Sequence, residues 1–395
     1  MTQSIKIRNT IGYYLLFICL GFGMGITGPA LPSLANQTNS TIGQIGIMLF
    51  VSALSGILGT LIGGRFFDRS RHANLVLAGC QLLAAAMLAV VPLAGSLPLL
   101  LVIVFIGGLP NGMINTGSNT LLMWTHGEKS GPFINGLHFF FGLGAFISPT
   151  IYAQVLNAGG TYRQVYWILA AIAVPIALYL SLQSHNPEPP HKKVVDDSSS
   201  HQNITRSLPI IVTGMLFLFF YVGAEVTFGN WIFTYTTTLN LADATQAAYL
   251  TSGFWLAFTI GRLISIPVAA RFKPAQILTL ALSACVVIVV LMILNPNSFA
   301  LLWGCTVALG FFMAPVWPTG YNLAGQSVKL TATISSVILL GDSMGGMILP
   351  SATGQVVEHF GAPMMTWLVL ASLVGNIIMF TLLMRLRKAN NPPTA

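Results

Sequence analysis

Charge is scarce in this sequence. Only 7% of its 395 residues are Asp, Glu, Lys or Arg, whereas 54% are hydrophobic. A soluble domain usually carries about 25% charged residues, so this composition, with a mean hydropathy of +0.78, excludes an ordinary soluble domain. The sequence is therefore predicted to be a multi-pass membrane protein embedded in the lipid bilayer.

Cysteine is scarce as well, and its spacing excludes the usual uses of the thiol. The four cysteines, Cys19, Cys80, Cys285 and Cys305, all lie in apolar runs, and no pair has the spacing of metal ligands. We interpret them as small core residues. The sequence also shows no Ser-His-Asp, metal-ligand or phosphate-loop spacing and no sizeable soluble domain. We therefore expect neither an enzyme nor a receptor, no metal or cofactor, and no use of ATP.

Long apolar runs, in contrast, recur along the whole chain. A transmembrane helix needs about 20 such residues, and the first run lacks a small-residue cleavage site, so it is expected to span rather than to be a signal peptide. Twelve runs are predicted, at 11–32, 43–64, 74–93, 98–123, 131–156, 164–184, 207–235, 245–270, 275–294, 298–323, 330–357 and 363–384. The predicted fold class is an all-α membrane protein with twelve transmembrane helices.

The basic residues indicate the orientation. If both termini are cytoplasmic, only Arg163 of the 17 Lys and Arg residues falls outside the cytoplasmic regions and the helix ends that border them. Cytoplasmic loops carry such an excess of Lys and Arg. The net charge of +8 thus belongs to a membrane surface and not to nucleic-acid binding. We expect a monomer in the cell membrane with both termini in the cytoplasm.

One long polar segment divides the chain into similar halves. Residues 185–206 are rich in Pro, Ser and charge, which is typical of a flexible linker. The predicted domains are an N-terminal six-helix bundle (1–184), a cytoplasmic linker (185–206) and a C-terminal six-helix bundle (207–395). Four motifs recur in the same order in both halves, pairing 23–27 with 223–227, 64–65 with 261–262, 116–119 with 319–322, and 144–149 with 345–350. Two such repeats with a binding site at their interface are a known transporter plan.

Glycine and proline predict how some helices pack. The spacings Gly21-x-x-x-Gly25 and Gly59-x-x-x-Gly63 favour close helix crossings, because small residues let backbones approach. Proline removes a helix hydrogen bond. Pro29 and Pro32 in the first run, Pro110 in the fourth, and Pro315 and Pro318 in the tenth therefore predict bends.

A family resemblance enters at the end of the second run, where the chain reads GRFFDRSR from Gly64. This pattern resembles the loop signature of the major facilitator superfamily, which has a glycine, three residues, Asp-Arg and a further basic residue. The resemblance implies two six-helix halves and a conformational latch formed by Gly64, Asp68, Arg69 and Arg71, with Arg262 in the second half. The simpler alternative is that the arginines only set the topology. The second half lacks the Asp-Arg pair.

Two further stretches carry a narrower resemblance. Residues 136–149 (GLHFFFGLGAFISP) and 221–231 (YVGAEVTFGNW) look like the fucose permease and sodium-dependent glucose transporter branch of the superfamily. The resemblance implies uptake of a monosaccharide coupled to a cation. The coupling ion varies within that branch, so H⁺ and Na⁺ both stay open.

Two acids within apolar runs are candidates for ion coupling. An ionised side chain in hydrocarbon costs roughly 2.5–3.5 kcal/mol on insertion scales, and Glu225 lies in the run 218–235 with no basic residue nearby in sequence. We interpret Glu225 as a carboxylate that a proton or cation neutralises; a structural hydrogen bond is the alternative. Asp342, whose repeat counterpart is Phe141, is either a second coupling acid or a packing acid paired with Arg262 or a serine.

Polar residues in the fourth and fifth runs are candidates for substrate binding. Asn111, Asn115 and Asn119 recur every four residues and so form one stripe. Carboxamides donate and accept, which suits the hydroxyls of a sugar; hydrogen bonds between helices are the alternative. His138 is interpreted either as a donor to a substrate hydroxyl or proton relay, or as a buried structural histidine.

Aromatic residues complete the candidate substrate site. A flat apolar face suits a pyranose ring, although aromatic residues at helical spacing also serve packing. The candidates are Phe141, Trp231, Trp317 and Tyr321, together with the amides Asn230 and Asn322. The leading hypothesis is a secondary active transporter for a monosaccharide and a cation. The alternative is an exporter of drugs or other amphipathic solutes, whose cavity would contain few carboxamides.

Overall fold

The computed structural model of the chain describes residues 2–67, 69–70, 72–183, 187, 204–326 and 332–390. Within these residues the secondary structure is helical, with no strand. The α-helices are α1 (Gln3–Gln37), α2 (Ile42–Phe67), α3 (Ala73–Val90), α4 (Leu97–His126), α5 (Gly131–Asn157), α6 (Tyr162–Ser181), α7 (Ile204–Thr238), α8 (Ala244–Arg271), α9 (Pro274–Leu294), α10 (Phe299–Met313), α11 (Val316–Gly325), α12 (Ala332–Phe360) and α13 (Met364–Asn390). Short 3-10 helices, Val91–Leu93 and Gly127–Lys129, follow α3 and α4.

The part of the chain that the structure describes contains twelve spans long and apolar enough to cross a membrane. Each of the twelve predicted runs overlaps one of them, so the predicted all-α membrane fold is confirmed. The tenth span, Phe299–Gly325, is interrupted between α10 and α11, where Pro315 precedes the first residue of α11. This break agrees with the bend predicted at Pro315, because proline cannot donate to the helix ladder. In contrast, α1 and α4 continue without a break through Pro29, Pro32 and Pro110.

One compact unit, here called unit 1, is formed by Met1–Pro190, Gly229–Leu256 and Gly354–Ala362. In unit 1, α1 packs against α5 and α2 against α4. A Cβ atom on Gly21 would overlap the Phe141 carbonyl oxygen, and one on Gly59 would overlap that of Leu109. The close crossings predicted from glycine spacing are therefore confirmed for α1 and α2.

The other compact unit, unit 2, is formed by His191–Phe228, Ala257–Thr353 and Pro363–Ala395. Here α9 contacts α10, α11 and α13, and α12 crosses α7 closely because a Cβ on Gly345 would overlap the Phe219 carbonyl oxygen. The break after α10 leaves carbonyl groups outside the helix ladder. The Tyr221 hydroxyl of α7 donates to one of them, the Met313 oxygen, at 2.7 Å.

The predicted linker falls largely outside the described residues. Of 185–206, the structure describes only Pro187 and the first residues of α7, which begins at Ile204. The division into domains 1–184 and 207–395 stays a prediction. The compact units are drawn differently, since unit 1 also takes in 229–256 and 354–362.

Candidate functional site

Three charged side chains from three helices of unit 2 form what we call the charged cluster: Glu225 of α7, Arg262 of α8 and Asp342 of α12. Glu225 is only 8% exposed, and Arg262 and Asp342 are half-buried. The guanidinium interacts electrostatically with both carboxylates, and the carboxylates with each other. The structure thus places both predicted ion-coupling acids within electrostatic range of Arg262.

The charges of this cluster do not cancel. When all three groups are ionised, two carboxylates face one guanidinium, which leaves one negative charge in excess. Charges removed from water are costly unless they are paired. Binding of one proton or one monovalent cation would bring the cluster to neutrality.

Arg262 is held by an aromatic ring from its own helix. Its guanidinium carbon lies 4.7 Å from the ring centroid of Phe258, one turn earlier on α8. Such cation–π contacts orient a guanidinium and offset part of its desolvation. Among the described residues, the Arg262 Nε atom is buried without a hydrogen-bond partner.

Asp342 has a specific partner on α11. The Trp317 indole Nε1 donates to Asp342 Oδ1 at 3.0 Å. Tyr321, one turn further along α11, stacks on Trp317 with ring centroids 5.6 Å apart and planes tilted by 14°. Asp342 thus has a tryptophan as its hydrogen-bond partner and not a serine, and Arg262 acts on it electrostatically; its coupling role stays a prediction.

Tyr221 and Phe258 are members of the site that sequence reasoning missed. The Tyr221 hydroxyl, which bonds Met313, also lies beside the Glu225 carboxylate one turn later on α7. Both residues precede a charged residue by four positions, the spacing at which side chains meet on a helix. That spacing was the available signal.

The asparagine stripe lies on α4 in unit 1. Asn119 Nδ2 donates to Asn115 Oδ1 at 3.2 Å and to the Asn115 carbonyl at 2.9 Å. Asn111 and Asn115 are exposed and Asn119 is half-buried. These two bonds run along α4 itself, and the stripe forms a continuous polar face.

The remaining candidates in unit 1 differ in exposure. His138 is exposed on α5, with its ring edge-on to Phe17 at 6.1 Å, and Phe141 is half-buried against the core around Phe17. Asn230 and Trp231 are buried, with 3% and 1% exposure. The Trp231 ring packs where Gly354 has no side chain, which is a packing contact.

The latch residues and Asn322 lie elsewhere. Gly64 is half-buried near the end of α2, and Arg69 is exposed. Asp68 and Arg71 lie outside the described residues. Asn322 is exposed on α11 and accepts a hydrogen bond from Gln326 Nε2 at 3.3 Å.

Among the described residues, no group of three His, Cys, Asp or Glu side chains is placed so that it could hold a metal ion.

A second polar group, here called the end contacts, lies in unit 1 where α2 begins and α12 ends. Glu358 Oε2 accepts from Thr41 Oγ1 at 2.6 Å and from the Gly43 N–H at 2.5 Å. Gln355 Nε2 donates to the Gly43 carbonyl at 2.8 Å. A carboxylate is favourable at a helix N-terminus, where N–H groups lack helix partners.

Two further bonds in unit 1 join α5 to α8. The Thr150 and Ser252 hydroxyls are 2.6 Å apart. Gln154 Nε2 donates to the Tyr249 hydroxyl at 2.6 Å. We include these two bonds in the end contacts. Like those of Glu358 and Gln355, they connect a segment of the second half, here 229–256, to the helices of the first half.

A protein named sodium-dependent glucose transporter 1A from Mus musculus is 29% identical over 414 residues, which cover 94% of this chain and 95% of that protein. A major facilitator superfamily domain-containing protein 4A from Danio rerio is 27% identical over 440 residues, covering 90% and 83%.

Solved structures share the fold. A D-xylose-proton symporter superposes with a TM-score of 0.76 at 15% identity, covering 94% of this chain and 97% of that one. A nucleoside transporter superposes with a TM-score of 0.74 at 13% identity, covering 97% and 98%.

The family model described as Major Facilitator Superfamily matches residues 13–339 and 243–395. The chain therefore belongs to the Major Facilitator Superfamily, as a multi-pass membrane transporter and not an enzyme.

Proposed function

We propose that this protein is a secondary active transporter that moves a monosaccharide together with a proton or a sodium ion by alternating access. The observation that carries the proposal is the excess negative charge of the charged cluster. The sodium-dependent glucose transporter that is 29% identical over nearly the whole chain supports a sugar as the substrate class.

Glu225 is the coupling carboxylate in this proposal. It is the most buried of the three charged groups, and its excess charge is costly in the membrane interior. A bound proton or Na⁺ removes that cost, so the loaded and empty cluster favour different conformations. Charge alone does not distinguish the two cations, and the experiment below decides between them.

Both units offer groups suited to a sugar. In unit 1, the asparagine stripe and the exposed His138 supply donors and acceptors for hydroxyls. In unit 2, the stacked Trp317 and Tyr321 supply a flat face for a pyranose ring. An exporter of amphipathic solutes would have no use for an exposed carboxamide stripe, which makes it the weaker hypothesis.

The end contacts are the closed gate in this mechanism. With cytoplasmic termini, as the basic residues predict, α1 ends and α2 begins on the outer side of the cell membrane. The bonds from Glu358 and Ser252 to the first-half helices then close the outer end. Opening that end requires these bonds to break, and a covalent link between Thr150 and Ser252 should stop transport.

The function is tested with purified protein in sealed vesicles. Uptake of a panel of monosaccharides is measured under a proton gradient alone and under a sodium gradient alone. Accumulation of one sugar under one gradient supports the proposal and identifies both substrate and ion. Sugar-independent binding of hydrophobic cations, with no accumulation of any sugar, contradicts it and supports the exporter.

A T150C/S252C variant tests the gate: oxidation should block uptake and a reductant should restore it.

A further inference from the structure

The two acids of the charged cluster have different surroundings. Glu225 is buried, and its neighbours are the Arg262 guanidinium and the Tyr221 hydroxyl. Asp342 is instead bonded through Oδ1 to the Trp317 indole. Arg262 also interacts with Asp342. The direct hydrogen bond nevertheless gives this carboxylate a role, that of an acceptor, in which it neither gains nor loses a proton.

Trp317 lies at a point where the helix alone does not fix its orientation. It is the second residue of α11, directly after the break that ends α10 at Met313. The indole N–H can only donate, and it needs an acceptor when it leaves water. Asp342 of α12 supplies that acceptor at 3.0 Å, so a residue of α12 holds a ring that belongs to α11.

A second ring, that of Tyr321, stacks on Trp317. It lies nearly parallel to the indole, with a tilt of 14°. Both side chains are half-buried, so part of each ring remains accessible. The two rings and the Asp342 carboxylate form one chain of contacts, which ends in an aromatic face.

We propose that Asp342 is a positioning residue: it orients Trp317, so that the Trp317–Tyr321 pair presents a fixed aromatic face to the ring of the transported sugar. The inference rests on the proposed function, because it assumes a sugar substrate. It predicts that sugar binding needs Asp342 as a hydrogen-bond acceptor and not as a charge, whatever its charge contributes to the charged cluster.

Substitutions at Asp342 separate these roles. D342N keeps an oxygen that accepts from the indole and removes the charge, so the KM of sugar exchange, measured without an ion gradient, should change less than about threefold. D342L removes the acceptor as well, and loss of one orienting hydrogen bond should raise the KM of exchange roughly tenfold while its Vmax changes little. W317F, which removes the N–H, should raise KM to a similar extent.

The double variant tests whether both residues act through the same bond. If they do, D342L/W317F should raise KM no more than either single change, since the second substitution has no bond left to remove. Additive effects would contradict the positioning role. A KM of exchange that rises as far in D342N as in D342L would overturn the proposal, because D342N keeps the acceptor oxygen.

A spectroscopic measurement separates failure of this inference from failure of the proposed function. The near-ultraviolet circular dichroism of the wild type minus that of W317F reports how rigidly Trp317 is held. D342L should lose the same band and D342N should keep it; a band kept in D342L would overturn the orienting role. D342N also covers the case in which D342L fails to fold. If the wild type accumulates no monosaccharide under either gradient, the sugar-facing role falls with the proposed function, while the dichroism still decides whether Asp342 fixes Trp317.

Discussion

The crossing of α1 with α5 in unit 1 and that of α7 with α12 in unit 2 have the same backbone contact and different chemistry. In the first, Gly144 packs on the Ile18 carbonyl; in the second, Gly345 packs on that of Phe219. These contacts confirm the repeat predicted between 144–149 and 345–350. Both crossings share this close packing, whereas Glu225 and Asp342 belong to the crossing in unit 2 alone.

The contacts also correct the register of the repeat. Sequence motifs pair Glu225 with Gly25, but the pairing of Ile18 with Phe219 places Glu225 opposite Met24. Asp342 remains opposite Phe141. On either register the first half has no acid at these positions. Packing that is common to both crossings therefore does not explain Glu225, which strengthens its assignment to coupling.

Removing the acid from unit 2 should have the largest effect. E225Q keeps the size and hydrogen-bonding capacity of the side chain but removes its charge, so the cluster no longer needs a cation. Accumulation driven by the ion gradient should fall to the equilibrium level, while exchange of sugar across the membrane is partly retained. Vesicle uptake and counterflow measure the two. The exposed Glu128 provides the control, E128Q, and normal accumulation in E225Q would contradict the coupling role.

Removing the cation should have the next largest effect. R262M leaves two carboxylates, one of them buried, without their counter-charge, and uncompensated charge in a protein interior is strongly destabilising. Thermal unfolding in detergent should therefore begin at a lower temperature. The double variant E225Q/R262M, which restores the original net charge of the cluster, should recover part of the loss. If it is no more stable than R262M, the pairing of these groups is not what stabilises α8.

The two glycine crossings should respond alike. G144A and G345A each place a methyl group against a carbonyl oxygen, and overpacking of this kind costs about 1–3 kcal/mol. Equal losses of thermal stability would sharpen the comparison between the units. In the matched control G79A, the new methyl has nothing within 4 Å. A loss confined to one of the two crossings would mean that the backbone contact is not equivalent in both.

The end contacts should give the smallest effect. E358Q removes a negative charge from the start of α2, where it favours the helix N-terminus. Cross-linking of T150C with S252C should slow by roughly twofold to fivefold, since one charge at a helix end has a modest effect. An unchanged rate would show that the charge of Glu358 does not help to hold this end closed.

Much of the fold was predictable because each membrane helix needs its own apolar run. Twelve runs gave twelve spans, glycine spacing predicted the close crossings of α1 and α2, and Pro315 marked the break before α11. The candidate site was predicted less completely. The latch role that the resemblance gives Arg262 stays a prediction, and the structure adds what the sequence did not indicate, a cation–π contact with Phe258 and electrostatic interaction with Glu225 as well as Asp342. Trp231, proposed for a sugar face, is buried against Gly354.

The sequence by itself determined the contacts that helix periodicity imposes. Tyr221 with Glu225, Phe258 with Arg262, and Trp317 with Tyr321 are each four residues apart, and such side chains meet on any helix. Only the tertiary structure decided which helices meet and at what height. Asp342 comes near Glu225 because the contact of Gly345 with the Phe219 carbonyl sets how far α12 is shifted along α7. That shift arises from packing between helices, which the period of a single helix does not encode.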